Sequence, residues 1–268
     1  LDFNYKHLNK ELIMKKIFLK IMTLVFAFSV VSCGDNSKND GNKAQELSGA
    51  GATFPLPFYN VIFEQFAEVN GDAVAYGGIG SGGGVRNLRD KIVDFAGSDA
   101  FLSEKEMSEM DSVIHIPTCM GAVVVAYNLD GVNDLKLSGE IIADIFAGKI
   151  KKWNDPLLVA LNPNITLPNE NIIPVFRSDG SGTTFVFTDY LTKVSHMWAS
   201  EYGSGKSINF PSGQAAKGNP GVASVISQTK NEKLIGSFVD IRKHKKCKRR
   251  VCFTISCFYI CCRLRRYS

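Results

Sequence analysis

Four short glycine-rich loops constrain what this chain can fold into more than any other feature of its sequence. Each contains small residues, a hydroxyl group and backbone N–H groups, and three of them join a predicted strand to a predicted helix. The loops are residues 49–54, 80–84, 97–99 and 177–183. The first N–H groups of a helix have no partner within it, and together with the positive end of the helix dipole they attract anions. Three such loops, with one arginine and two aspartates close by, predict a cage for a small anion.

Strand and helix patterns alternate through the middle of the chain, which predicts an α/β protein with a mainly parallel sheet. The predicted strands are 47–49, 73–76, 93–96, 113–116, 121–128 and 172–176. The predicted helices are 54–69, 85–91, 103–110, 138–147, 182–193 and 215–230. Ligands of such sheets bind at the carboxyl ends of the strands, where the four loops fall. The fourth loop follows the third by about 80 residues, past a change of rhythm near Met120, which suits two lobes with a site between them.

Two of the predicted helices carry specific local signals. Helix 54–69 has Pro55 and Pro57 in its first turn, where a missing N–H costs little, and we expect its apolar side chains to form one buried face. That expected face consists of Phe58, Val61, Ile62, Phe66 and Val69. In helix 103–110, Ser103 is followed three positions later by Glu106, which predicts a capping box.

Charge is distributed unevenly along the 268 residues. The whole chain has a net charge of +5, but residues 241–268 contain ten Lys or Arg and no acid, and residues 34–240 have a net charge of −8. An acidic body lacks the basic footprint of a nucleic-acid-binding protein, so we expect no nucleic-acid partner. Such a body has to bind an anion with local donors rather than with a long-range positive field.

The N-terminal part has the form of an export signal. Residues 1–13 precede Met14, where we expect translation to start, and residues 14–33 resemble a bacterial lipoprotein signal in which Cys33 is lipid-modified. The alternative is a retained membrane helix, but the apolar run after Lys20 is about a dozen residues, shorter than the roughly 20 that a spanning helix needs. The polar residues 34–46 predict a flexible tether.

The C-terminal part, residues 237–268, changes abruptly to a basic and cysteine-rich composition. Its five cysteines lack a CxxC…CxxC spacing and have only His244 nearby, so we expect no metal site there. We expect these residues to form an aberrant tail outside the fold. Our hypothesis is that the reading frame shifts near Ser237, and resequencing the coding DNA across that point would test it.

Five motifs closely resemble those of the phosphate-binding proteins of bacterial high-affinity phosphate ABC transporters, in the order and spacing of that family. They are GAGATFP at 49–55, GIGSGGGV at 78–85, VDFAGSDA at 93–100, GKIKKWND at 148–155 and RSDGSGT at 177–183. The resemblance implies a two-lobed periplasmic-binding-protein (class II) fold with a ligand cleft between the lobes. It implies a first part of lobe I at 47–119 and a partial lobe II at 120–236. Chains of the family continue beyond this point, so we expect the fold to be incomplete at the C-terminus.

The resemblance also assigns roles to individual residues and to partners. By position, the phosphate contacts are Thr53, Phe54 through its backbone N–H, Ser81, Asp99, Arg177, Ser181, Gly182 and Thr183. Hydroxyl and amide donors suit phosphate oxygens, a guanidinium matches two of them, and Asp179 is expected to support Arg177 by pairing with it. The implied role is delivery of inorganic phosphate to the membrane permease of an ABC transporter with its ATPase, by a lipid-anchored monomer outside the cytoplasmic membrane.

Asp99 is the unexpected member of this set, because a carboxylate repels an anion. The contact becomes favourable if the ligand carries a proton that the carboxylate can accept. Phosphate near neutral pH has P–OH groups and sulfate has none. We therefore expect Asp99 to reject sulfate while it accepts phosphate.

A dinucleotide-binding oxidoreductase is the alternative function, because GIGSGG at 78–83 satisfies GxGxxG and Asp99 follows about 20 residues later. The export signal and the other donor loops, which this alternative leaves unexplained, count against it.

We expect no enzymatic activity, since Ser181 lacks the GxSxG frame and residues 180–183 lack the lysine of a P-loop. We also expect no catalytic residue, no cofactor and, because the four histidines are scattered, no metal site.

Overall fold

Eight strands form one mixed sheet in the computed structural model, which describes residues 46–132, 134–228, 234–239 and 250–263. The strands are β1 (Glu46–Gly51), β2 (Ala73–Gly78), β3 (Phe95–Ser98), β4 (Val113–Tyr127), β5 (Ile173–Arg177), β6 (Gln214–Ala216), β7 (Leu234–Val239) and β8 (Arg250–Arg263). The helices are α1 (Leu56–Asn70), α2 (Ser81–Arg89), α3 (Glu104–Ser108), α4 (Gly139–Phe146), α5 (Pro156–Leu161), α6 (Gly182–Val194), α7 (His196–Glu201) and α8 (Gly218–Gln228). The strand order is β2-β1-β3-β8-β4-β7-β5-β6.

Parallel pairing is confined to two groups of strands. β1 pairs in parallel with β2 and β3, and β5 pairs in parallel with β6 and β7. Between these groups, β4 is antiparallel to β7 and β8, and β8 is antiparallel to β3. The predicted parallel arrangement is therefore right for the strands that lead into the glycine-rich loops and wrong for the centre of the sheet.

Strand β8 lies inside the sheet, between β3 and β4. Its register places Cys262 opposite Phe95 and Arg263 opposite Val113. The expectation that the C-terminal part lies outside the fold is therefore wrong for Arg250–Arg263. Ladder hydrogen bonds join backbone groups, so an extended segment of unusual composition is still able to pair. The frameshift hypothesis concerns the coding DNA and stays a prediction.

Strand β4 is one long strand where the sequence predicts two strands separated by a proline. Its pairing with β8 continues through Pro117, with a register shift between Pro117 and Cys119. Proline has no N–H for the ladder, and an irregularity in the register accommodates it without ending the strand. The break predicted between strands 113–116 and 121–128 is thus a local distortion of one strand.

Most predicted helices are present with shifted limits. α2 begins at Ser81, four residues earlier than predicted, after Gly80 at φ 87°, a conformation that glycine adopts without strain. α3 has the predicted capping box: the N–H of Glu106 donates to Ser103 Oγ at 3.2 Å, and the N–H of Ser103 donates to Glu106 Oε2 at 2.8 Å. The predicted helix 215–230 is instead β6 followed by α8. α5 and α7 have no counterpart among the predicted helices.

Helix α1 turns a different face to the sheet from the one predicted. Phe58, Val61, Phe66 and Val69 are exposed by 39% to 82%, whereas Tyr59 is fully buried. The ring of Tyr59 stacks on that of Phe63 at 5.1 Å and meets the edge of Tyr76 in β2 at 4.9 Å. Aromatic packing therefore selects the Tyr59 face, and the predicted apolar face is largely exposed.

The buried core holds α2 against β1 and β3. A cluster of Val85, Leu88, Ala96, Leu102 and Val113 joins α2 to β3. α2 also lies very close to β1, because a Cβ at Gly84 would overlap the carbonyl oxygen of Ala50 and the Cα of Gly51. The largest core cluster is separate and unites side chains of β4, α4 and α6. Together these contacts hold the start of α2 beside the ends of β1 and β3.

Three predictions about chain organisation are not addressed by these elements. The lipoprotein signal with Cys33, and residues 34–45 of the tether, lie outside the described residues. Among the helices of the described residues, none combines the length and apolarity that crossing a membrane requires. The lobe boundaries at 47–119 and 120–236 stay a prediction.

Candidate functional site

A buried carboxylate, that of Asp99, follows β3 directly and connects two helices. Asp99 is 5% exposed. Its Oδ1 accepts a hydrogen bond from Ser81 Oγ at 3.1 Å, and its Oδ2 accepts one from Thr183 Oγ1 at 2.9 Å. Ser81 begins α2, and Thr183 lies in the first turn of α6. Side chains from three separate glycine-rich loops are therefore in direct contact.

The starts of α2 and α6 also meet through their backbones. The N–H of Gly182 donates to Ser81 Oγ at 3.2 Å, and the N–H of Gly82 donates to the carbonyl of Gly180 at 2.9 Å. Residue 182 has no room for a side chain, because an added Cβ would overlap atoms of both Asp99 and Ser81. The N-terminal ends of the two helices thus converge on the carboxylate of Asp99.

The protonation of Asp99 is set by opposing effects. Burial raises the pKa of Asp99, because removal of water penalises the charged form, and the net pKa is about 6 against an ordinary value of 3.8. The hydrogen bond from Thr183, the positive charge of Arg177 and the hydrogen bond from Ser81 act against this rise. Asp99 is therefore mostly ionised at neutral pH, in a position where it can accept hydrogen bonds.

A second group of polar side chains surrounds Arg177, the last residue of β5. Its guanidinium pairs with Asp179, with Nε donating to Oδ1 at 2.8 Å and Nη2 donating to Oδ2, and the Arg177 side chain is 3% exposed. Its Nη1 donates to Oδ1 of Asn219 at 3.0 Å. The expected pair of Arg177 with Asp179 is present, and Asn219 contacts the same guanidinium.

Two backbone groups at the start of α8 extend this network. The N–H of Gly218 donates to Asp179 Oδ1 at 3.0 Å, and the N–H of Asn219 donates to Thr53 Oγ1 at 3.1 Å. Burial raises the pKa of Asp179, but the hydrogen bonds from Arg177 and Gly218 outweigh burial and lower the pKa overall. Thr53 and Arg177, which lie in different loops, therefore belong to one hydrogen-bonded network.

Ser181 and Phe54 occupy other positions in the structure. Ser181 is fully buried and caps α6, since its Oγ accepts the N–H of Thr184 at 3.1 Å. Its own N–H donates to the carbonyl of Lys206 at 2.8 Å. The Phe54 side chain is buried in the largest core cluster, so its backbone is the part that can contribute to a polar site.

Asn219 and Gly218 are the parts of the network that the sequence analysis missed. They lie in AAKGNPG at 215–221, where β6 leads into α8. This is another junction of a strand with a helix, of the same kind as the glycine-rich loops. The sequence predicts one helix over 215–230, and that prediction conceals the junction and its polar residue.

A family model described as a PBP superfamily domain matches residues 36–249. The chain belongs to the PBP superfamily. The phosphate-binding protein PstS of Haemophilus influenzae is 47% identical to this PBP chain over 190 residues, and that of Pasteurella multocida is 46% identical over 190 residues. Both matches cover 70% of this chain but 57% and 55% of the relatives, so the chain spans little more than half their length.

Solved structures of low sequence identity have the same PBP fold. A phosphate-binding protein from Stenotrophomonas maltophilia matches with a TM-score of 0.63 at 16% identity, over 82% of this chain and 79% of that one. An ABC-type phosphate transport receptor from Vibrio cholerae matches with a TM-score of 0.53 at 16% identity, over 83% and 88%. The predicted two-lobed periplasmic-binding-protein fold is therefore confirmed for this PBP superfamily member.

Proposed function

We propose that this protein binds inorganic phosphate outside the cytoplasmic membrane and delivers it to the permease of an ABC-type phosphate importer. One observation carries the proposal: the starts of α2 and α6 meet at the buried carboxylate of Asp99. The positive charge of Arg177 stabilises the ionised form of this carboxylate. Helix starts and an arginine supply donors for an oxyanion, and a carboxylate adds an acceptor for a proton on that anion. The relatives named phosphate-binding protein PstS support the same ligand.

The hydrogen bonds of the site can be exchanged for bonds to phosphate. The hydroxyls of Ser81 and Thr183 donate to Asp99 in this structure, and a phosphate oxygen can replace the carboxylate as their acceptor. Asp99 then accepts a hydrogen bond from the P–OH group of the ligand, which keeps its proton. Sulfate has no such proton, so its binding would leave a buried carboxylate without a donor and next to a like charge.

The proposed contacts follow the positions assigned by the family motifs. They are Thr53, the backbone N–H of Phe54, Ser81, Asp99, Arg177, Ser181, Gly182 and Thr183, with Asp179 orienting Arg177. Binding is noncovalent and involves no catalysis, and a lipid on Cys33 anchors the monomer to the membrane. The matches give no support to the dinucleotide-binding alternative.

Equilibrium dialysis of the full chain with radiolabelled phosphate tests the proposal, with sulfate as the competitor. We expect saturable binding of one phosphate per chain that an excess of sulfate does not displace. A folded protein that shows no saturable phosphate binding would contradict the proposal, as would equal displacement by sulfate. Titration with NADH, followed by fluorescence, tests the alternative, and we expect no change.

A further inference from the structure

The carboxamide of Asn219 has one end that is hydrogen-bonded and one that is not. Its Oδ1 accepts from Arg177 Nη1 at 3.0 Å. Its Nδ2 is buried and has no hydrogen-bond partner within the part of the chain that the structure describes. Asn219 is only 5% exposed. Since nearly all buried polar groups are hydrogen-bonded, this donor requires an explanation.

The orientation of the Asn219 carboxamide follows from its neighbour. The oxygen and nitrogen of an amide side chain have nearly the same shape and are assigned from their hydrogen bonds. A guanidinium only donates, so the atom that faces Arg177 Nη1 has to be the oxygen. Reversing the amide would place two donors against each other. Nδ2, with two N–H groups, is therefore the arm that does not contact Arg177.

Asn219 lies between two residues of the proposed phosphate contacts. Its side chain contacts Arg177, and its backbone N–H donates to Thr53 Oγ1 at 3.1 Å. It is the second residue of α8, an eleven-residue helix whose first N–H donates to Asp179. The start of α8 is thus hydrogen-bonded to the side chains that surround Arg177.

We propose that Asn219 Nδ2 donates a hydrogen bond to an oxygen of bound phosphate, while Oδ1 holds the Arg177 guanidinium for the same ligand; this inference rests on the proposed function. Asp179 and Asn219 accept three of the five guanidinium N–H groups, which leaves one on each Nη for the anion. Asn219 is a donor that none of the four glycine-rich loops supplies. Because an amide is neutral, it adds donors to the site without adding charge.

Nuclear magnetic resonance of the ¹⁵N-labelled full chain tests the proposed bond directly. The side-chain NH₂ signals of Asn219 are assigned by their loss in Asn219→Asp. On saturation with phosphate, we expect one of these protons to shift downfield and the nitrogen to show a scalar coupling to ³¹P through the hydrogen bond. A water that bridges Nδ2 to the protein would give no such coupling. Signals that stay unchanged at saturating phosphate would overturn the inference.

Affinity measurements on matched variants provide the second test. We expect Asn219→Ala to raise the dissociation constant for phosphate about tenfold to a hundredfold, the range for a hydrogen bond to a charged group. Asn164→Ala, at an exposed position outside the network, should leave it unchanged. If Asn219→Ala does not fold, the spectra of the unaltered chain decide the question.

The outcomes separate this inference from the proposed function. An unaltered chain that binds no phosphate defeats both. An unaltered chain that binds phosphate, with an Asn219→Ala variant that binds it equally well, defeats the inference alone.

Discussion

Thr183 donates a hydrogen bond to Asp99, with Oγ1 and Oδ2 2.9 Å apart, although 84 positions separate the two residues in the chain. A change in the carboxylate therefore affects donors from distant loops at once. Asp99→Asn replaces one acceptor oxygen with an NH₂ donor of the same shape. We expect this variant to narrow the preference for phosphate over sulfate about tenfold or more, because the amide can donate to a bare oxyanion and no longer repels it.

Competition dialysis of labelled phosphate against sulfate measures this preference. Asp134→Asn is the matched control, since Asp134 is exposed and the substitution removes the same charge away from Asp99. The control should keep the preference of the unaltered chain. If Asp99→Asn also keeps it, Asp99 does not discriminate between the two anions.

The raised pKa of Asp99 predicts a pH-dependent effect on stability. At pH values between 3.8 and about 6, Asp99 keeps its proton in the folded chain and loses it in the unfolded chain. Binding of this proton therefore stabilises the fold fully below pH 3.8, and the stabilisation is lost as the pH rises through about 6. Above pH 6, ionised Asp99 lowers the free energy of unfolding by about 3 kcal/mol relative to the protonated form, because a pKa difference of one corresponds to 1.36 kcal/mol. Asn mimics the protonated form at every pH.

We therefore expect Asp99→Asn to raise the free energy of unfolding by up to about 3 kcal/mol near pH 8 and to change it little near pH 4. Urea unfolding of the variant and the unaltered chain, without phosphate, across this pH range gives the difference. A difference that is the same at both ends of the range would show that burial of the charge is not its cause.

Gly182→Ala tests the close approach of α6 to Asp99. The added Cβ would overlap Asp99 and Ser81, and overpacking of this kind costs about 1–3 kcal/mol. Both the free energy of unfolding and the affinity for phosphate should fall. Gly221→Ala in α8 is the control, because its nearest contacts are at 3.6 Å and alanine favours a helix by up to about 1 kcal/mol. Equal behaviour of the two variants in thermal unfolding and dialysis would contradict the packing argument.

Local chemistry explains which parts of the structure the sequence could predict. The capping box of Ser103 and Glu106 depends on atoms three residues apart, and it is present. Ser138 likewise caps α4, where its side chain accepts the N–H of Ile141 at 3.2 Å. The strand-to-helix junctions that bring Ser81, Asp99 and Thr183 together have signals of the same short range. These features were predictable because neighbouring residues determine them.

Long-range packing explains the parts that the sequence could not predict. The buried face of α1 is set by aromatic contacts of Tyr59 and Phe63 with Tyr76 and Phe95, which come from other elements. The position of β8 depends on pairing with β3 and β4, more than a hundred residues earlier. The role of Asn219 depends on its contact with Arg177, 42 positions earlier, which the predicted helix over 215–230 does not indicate. In each case the deciding partner is distant in the sequence.

Arg177→Lys tests whether the shape of the guanidinium, beyond its charge, is needed. Arg177 donates from Nε and Nη2 to Asp179 and from Nη1 to Asn219, and an ammonium group cannot reproduce this fork. We expect phosphate affinity to fall about a hundredfold, and the free energy of unfolding to fall by about 1–3 kcal/mol because buried acceptors lose donors. Dialysis and urea unfolding measure the two effects. Arg86→Lys, at an exposed position of α2, is the control and should change neither. If Arg177→Lys binds phosphate as tightly as the unaltered chain, positive charge alone is sufficient, and the hydrogen bonds to Asp179 and Asn219 do not orient Arg177 for the ligand.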